Sequence, residues 1–252
     1  LTEANGDFDG AMKIIREKGQ AVAAKRSDRE ASEGCVLVKV ADGFGAIIAL
    51  KCETDFVAKN EDFIKLTQNI LDAAVANKCK TLEEVQALPM GDVTIAQAVT
   101  DRSGITGEKM ELDGYMTLEG PAIATYNHQG KNFLCTMVAL SKEVDPKVGH
   151  EVAMQVAAAS PVSATRESVD PAVVEHEMSI YKAQAAESGK PENIQEKIAT
   201  GRMEKFYKEN CLTEQAFVKN PDQSVNEYTA EVAKALGTTI EIVSFTRFML
   251  GE

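Results

Sequence analysis

No stretch of this 252-residue chain approaches the length of a membrane span. Its opening residues have neither the basic start nor the apolar centre and small-residue cleavage site of an export signal. A cytoplasmic location is therefore expected. Cysteine is sparse and odd in number: Cys35, Cys52, Cys79, Cys135 and Cys211 lie far apart and never as Cys-x-x-Cys, which excludes a disulfide framework or a zinc site as the organising feature. They read as reduced thiols, several of them in strands. Basic residues are outnumbered by acidic ones, 27 to 39. The resulting formal net charge of −12 argues against a nucleic acid as the main partner, because phosphate binding needs a surplus of Lys and Arg. The histidines are only His128, His150 and His176, too scattered for a metal site. The glycine-rich motifs that cradle phosphates are missing, as is His-Glu-x-x-His. The expectation is a protein that is not an enzyme, holds no nucleotide, cofactor or metal, and binds neither nucleic acid nor membrane. Its many carboxylates read as solvated helix faces rather than a catalytic pair.

What is present is enough apolar side chain, 44% of the residues, to bury a substantial core in one large domain or a few small ones. The chain opens at Leu1 inside what reads as a helical unit, which raises the expectation of an absent N-terminal piece. Asn5-Gly6-Asp7 forms a turn, and Phe8, Ala11, Met12 and Ile15 follow at helical spacing, with Gly19 as the expected C-cap. Ala21 to Ser32, small and charged, reads as a linker. Two Val- and Ile-rich strands, Cys35 to Val40 and Ala46 to Leu50, are joined across Asp42-Gly43-Phe44-Gly45, a hairpin signal. A helix is predicted over Asn60 to Ala76, with Phe63, Leu66, Ile70, Leu71 and Ala74 on one face. Between strand and helix lies the polar junction Cys52-Glu53-Thr54-Asp55-Phe56-Val57. Phe56 there either packs under its own junction or points outward.

The strand, strand, helix unit recurs. Glu33-Gly34 returns as Glu119-Gly120, 86 residues on, and Ile95, Gly107, Met110, Glu111 and Leu112 return as Val225, Gly237, Ile240, Glu241 and Ile242, 130 residues on. The chain reads as a degenerate duplication of class α+β, each half a small antiparallel sheet covered by helices. The expected organisation is residues 1–32 as a helical remnant and linker, 33–118 as a first subdomain and 119–252 as a second. The two offsets differ by 44 residues, which locates an insertion in the second half, at about 171–207. Val174, Met178, Tyr181 and Ala185 stripe one helix of it, Ile194 and Ile198 another, and Ser188-Gly189-Lys190-Pro191 turns between them. So narrow a seam predicts a projecting antiparallel coiled hairpin; the alternative is a pair lying against the sheet.

Thr54-Asp55-Phe56-Val57 after an apolar strand resembles the signature of the elongation factor Ts family. Leu1-Thr2-Glu3-Ala4, Asp72-Ala73-Ala74-Val75-Ala76, Ser188-Gly189-Lys190-Pro191, Gly201-Arg202-Met203 and Arg247-Phe248 extend the resemblance, in order, along nearly the whole chain. The resemblance implies a guanine-nucleotide exchange factor for elongation factor Tu, with the first subdomain on the partner's nucleotide-binding domain and the second on its third domain. It further implies a partner-binding site at Thr54, Asp55, Phe56 and Val57. There the Phe wedges between helices and displaces the elements holding magnesium and diphosphate, and the Asp contacts the same region. His128, in the turn Asn127 to Lys131, matches a family His facing the other partner domain. Two departures stand out: the family's N-terminal partner-contacting helices are absent, and the chain stops at Glu252 without the further C-terminal helix of some members. The competing expectation is a helix-binding, chaperone-like adaptor acting through the coiled hairpin.

Overall fold

Helix α1 (Phe8–Lys25) starts where Asp7 accepts the N–H groups of Asp9 (3.2 Å) and Gly10 (3.0 Å), in the computed structural model, which describes residues 2–252. It does not stop at Gly19. A β-carbon at Gly19 would lie 3.5 Å from the Cα of Gly104, so this glycine lets two helix backbones approach and is not a C-cap. The expected linker correspondingly shortens, its first turn being the end of α1. Of the expected apolar stripe Ala11 is buried, whereas Phe8 and Ile15 are exposed.

Strands β1 (Glu33–Ala41) and β2 (Phe44–Cys52) pair antiparallel, Val38 opposite Ile47, through the two-residue turn Asp42-Gly43. Both turn residues have positive φ (49° and 72°), the geometry whose twist matches a hairpin and for which Asp-Gly is suited. Helices α2 (Asp55–Ala58), α3 (Glu61–Ala76) and α4 (Leu82–Ala87) follow. The small hairpin β3 (Pro89–Met90) and β4 (Val93–Thr94) then leads into α5 (Ile95–Thr106) and β5 (Glu111–Glu119). Helix α3 is capped by Asn60 and buries Phe63, Ile70, Leu71 and Ala74, each worth up to about 1.5–3 kcal/mol for the larger side chains. Leu66 is half-buried. The sheet order is β1-β2-β5, and the central β2 is buried on both faces, which explains its near-continuous apolar run. One face lies under α3. On the other, Ala49 and Gly114 stand opposite each other and leave room for the ring of Phe248.

The second half repeats the plan. It comprises β6 (Ala122–Asn127), β7 (Leu134–Leu140), α6 (Pro146–Ala159), α7 (Pro171–Ala186), α8 (Glu192–Asn210), β8 (Ala216–Phe217), β9 (Asn220–Ser224), α9 (Val225–Ala235) and β10 (Ile242–Met249). Its sheet order, β10-β7-β6, again places the second strand of the half in the middle. Thr94 caps α5 by accepting from Gln97, and Ser224, 130 residues on, caps α9 by accepting from Glu227. The left-handed glycines Gly107 and Gly237 follow the two helices at the same spacing (φ 71° and 63°). The fold is α+β.

By internal contacts the chain forms two compact units. The first holds the residues through Glu119, Thr125–Met137 and Thr246–Glu252; the second holds Gly120–Ala124 and Val138–Phe245. Within the second, α7 and α8 pair with each other as an antiparallel hairpin burying Ala185, Ala199 and Met203, while most of their remaining surface is exposed. Pro191 is the residue before α8 rather than in its first turn, and α8 runs three residues past the expected end of the insertion, to Asn210. At the arm's base the Arg166 guanidinium pairs with Glu214 (2.7 Å) and Glu204 (3.1 Å) and lies 4.6 Å over the Tyr207 ring. All five cysteines are free and buried, and burial pushes the Cys52 and Cys135 thiols up to about 12. Cys35, Cys52 and Cys135 sit in strands. Among the described residues no helix is long and apolar enough to cross a membrane, and no cluster of His, Cys, Asp and Glu is grouped to hold a metal.

Candidate functional site

The junction after β2 is a single turn of helix held from behind. Thr54 has extended backbone, and its hydroxyl accepts the Val57 N–H at 3.4 Å, which starts α2. The turn closes through Ala58 N–H to Thr54 carbonyl (3.1 Å) and Lys59 N–H to Asp55 carbonyl (3.0 Å). Beneath it, Cys52 Sγ donates to the Thr54 carbonyl at 3.2 Å. Val57 packs against the core of the first unit, so it anchors the turn.

Phe56 faces the other way. It is 84% exposed, the most exposed of the large apolar side chains in the described structure. Sequence pattern alone left it a choice between packing under its junction and pointing outward; the exposure decides for the latter. Asp55, beside it, pairs with Lys59 one turn on (2.6 Å), and this bond holds its carboxyl below the usual carboxylate range.

A pair of carboxylates supports the turn. Glu108, just after α5, accepts the N–H groups of Glu53 and Thr54 through one oxygen (3.1 Å each) and the Thr54 hydroxyl through the other (2.6 Å). Glu53 turns the opposite way and receives the Lys109 N–H (2.6 Å), Arg29 (2.9 Å) and Arg26 (3.2 Å). The Lys109 N–H first, with the two guanidinium groups, holds the Glu53 carboxyl down to about 2. Sequence reasoning missed Glu53, Glu108, Arg26 and Arg29. At the 130-residue offset Glu108 falls on Thr238 and Lys109 on Thr239, mismatches that do not by themselves single out Glu108.

His128 lies at the tip of the β6–β7 hairpin, in a short 3-10 turn over His128–Gly130. It is half-buried, with Nδ1 3.1 Å from the Tyr126 hydroxyl and its ring edge-on to Phe133 at 5.7 Å. The tip belongs to the first unit, where the Val36 N–H on the outer edge of β1 donates to the Asn132 carbonyl at 2.7 Å. A groove of about 510 Å³ runs beside α2, lined by Asp55, Lys59 and Ile64 on one side and Lys131, Phe133 and Leu250 on the other. The structure thus gathers Thr54, Asp55, Phe56 and Val57 on one turn, and brings the His128 tip into the same unit.

A family model described as Elongation factor TS matches residues 53–252, beginning one residue before the cap of this turn. The chain belongs to the elongation factor Ts family. Elongation factor Ts of Bacteroides fragilis is 52% identical over 306 aligned residues, covering 99% of this chain and 92% of that one. That of Porphyromonas gingivalis is 50% identical over 251 residues, covering 99% and 90%. That of Phocaeicola vulgatus is 49% identical over 309 residues, covering 99% and 92%. Membership makes the protein a translation elongation factor of the nucleotide-exchange class.

Proposed function

We propose that this chain binds elongation factor Tu in its GDP form and speeds GDP release by pressing Phe56 between helices of the partner's nucleotide-binding domain. The wedge displaces the elements that hold magnesium and the diphosphate; Asp55 contacts the same region, and GTP then binds the emptied site. Thr54 and Val57 serve by fixing the turn. The chain itself carries neither nucleotide nor metal. The second half of the duplication makes a further contact with another domain of the partner, in which His128 takes part.

The observation that carries this reading is a fully presented Phe56 on a turn whose backbone is pinned from below. An exposed aromatic gains by leaving water, and at the centre of an interface it is worth about 2 kcal/mol or more. Exchange is reciprocal coupling: if GDP weakens the factor's grip on the partner, the factor weakens GDP equally. A nanomolar nucleotide is held by about 12 kcal/mol, so a rigid wedge, which loses little freedom on binding, contributes more than a mobile one.

The test is release of a fluorescent GDP from elongation factor Tu. Phe56→Ala is expected to slow release strongly while unfolding within about 0.5 kcal/mol of wild type, as for an exposed side chain. Wild-type release by the alanine variant would remove the wedge. If the chain bound elongation factor Tu without changing GDP release, and deletion of α7 and α8 abolished that binding, the adaptor reading would replace it.

A further inference from the structure

We propose that Glu108 is the positioning residue of the exchange site: its carboxylate sets the first turn of α2 and thereby the place from which Phe56 projects. The inference rests on the wedge reading above. Its geometry is independent of it. One side chain, arriving from the α5–β5 junction, satisfies two successive backbone N–H groups and the capping hydroxyl of the turn (3.1, 3.1 and 2.6 Å). These donors lie at the start of a helix of only four residues, too short to hold itself in water. Glu108 is itself fixed, because Ser103 Oγ donates to its carbonyl at 2.5 Å and its own N–H reaches Thr106 Oγ1 at 3.3 Å.

The duplication supplies an internal control. The corner equivalent to Thr54-Asp55-Phe56 is Leu140-Ser141-Lys142, and the position equivalent to Glu108 is Thr238. There Lys142 Nζ donates to Thr238 Oγ1 at 2.6 Å, and Ser141 exchanges hydrogen bonds with Glu241: its N–H donates to the Glu241 carbonyl, and its hydroxyl oxygen accepts the Glu241 N–H, each at 2.9 Å. Between β7 and α6 the second copy forms no helical turn like α2, and it has neither a side-chain carboxylate beneath the corner nor an aromatic on top. The fold can thus join strand to helix without the clamp, and where the clamp is missing the turn is missing too. The clamp occurs in the one copy that presents a phenylalanine.

Three variants test this: Glu108→Ala, which removes every acceptor; Glu108→Gln, which keeps one oxygen for the two N–H groups; and Glu108→Ala combined with Phe56→Ala. Glu108→Ala is expected to lower the maximal GDP-release rate about tenfold or more, a size consistent with a misplaced reacting group, with half-saturating factor concentration little changed. Glu108→Gln should recover most of that rate. The double variant should be no slower than Phe56→Ala alone, because Glu108 acts through Phe56; a general loss of stability would instead add to it. Amide hydrogen exchange reads the clamp without any activity: the Glu53, Thr54 and Val57 N–H groups should exchange faster in Glu108→Ala, with the core of α3 unaffected. Unchanged amide protection overturns the positioning role whatever Phe56 does, and additive loss in the double variant overturns it too. An inert Phe56→Ala alongside faster α2 amides would instead remove the wedge and keep the clamp. If Glu108→Ala does not fold, Glu108→Asp carries the test, since a carboxylate one methylene shorter should also deprotect the turn.

Discussion

Glu53 links the acidity of the solution to the geometry of the site. Its carboxyl, ordinarily near 4.5, is held down to about 2 by the Lys109 N–H, Arg29 and Arg26. The folded value is depressed, so its stabilisation is complete above about 4.5 and is lost as pH falls toward 2, where the unfolded chain binds the extra proton. Glu53→Gln should therefore unfold more easily at neutral pH and show a shallower rise of stability between those two values, measured by denaturant titration at stepped pH. Equal slopes for the two proteins would mean that Glu53 is not clasped in solution. His128 calls for a different expectation: its ring is wedged against Phe133 and bonded to Tyr126, so His128→Ala should cost about 1 kcal/mol of stability besides weakening any contact it makes. The partners of Glu53 could not be read from the sequence, because Arg26, Arg29 and Lys109 lie on distant stretches of chain, whereas Phe56 and Asp55 stand out locally as an aromatic and an acid in a polar break.

Helix α1 shows how a glycine misleads when read one element at a time. Gly19 has the spacing of a C-cap, but the deciding residue is Gly104 on α5, 85 positions away in the chain. The two glycines also differ in tolerance. A methyl group at Gly19 meets Gly104 at an ordinary 3.5 Å, while one at Gly104 runs into the Gly19 backbone. Gly19→Ala should be neutral or stabilising by up to about 1 kcal/mol from helix propensity; Gly104→Ala should cost about 1–3 kcal/mol or undock α1. Hydrogen exchange along α1, compared between the two variants, separates these outcomes, and equal behaviour would refute the crossing. The arm of α7 and α8 was legible because its seam repeats along a single stretch of sequence. Replacing Pro171–Asn210 with a short Gly-Ser link should spare a cooperative unfolding transition, since Arg166 keeps Glu214 when it loses Glu204 and Tyr207. Loss of that transition would return the helices to the core.

At the scale of the molecule, the duplication was visible because helix caps and left-handed glycines are local and keep their spacing: Thr94 and Ser224, Gly107 and Gly237. What the repeat could not reveal is where the copies differ in purpose, since Glu108 against Thr238 is one mismatch among many. The two-sided burial of β2 was likewise hidden, as its cover includes Phe248 from the far end of the chain. A practical property follows from the fate of the five thiols, all enclosed, four of them pushed to about 11 or 12. Maleimides and aromatic disulfides are attacked by thiolate at the surface, and the native protein presents them none. It should remain unlabelled until denaturant opens it, and mass spectrometry after a brief maleimide pulse would show at once if it does not. A single cysteine introduced on the outer face of the arm would then accept a fluorophore without removal of any native cysteine, so that the approach to its partner can be followed by energy transfer in an otherwise unaltered chain.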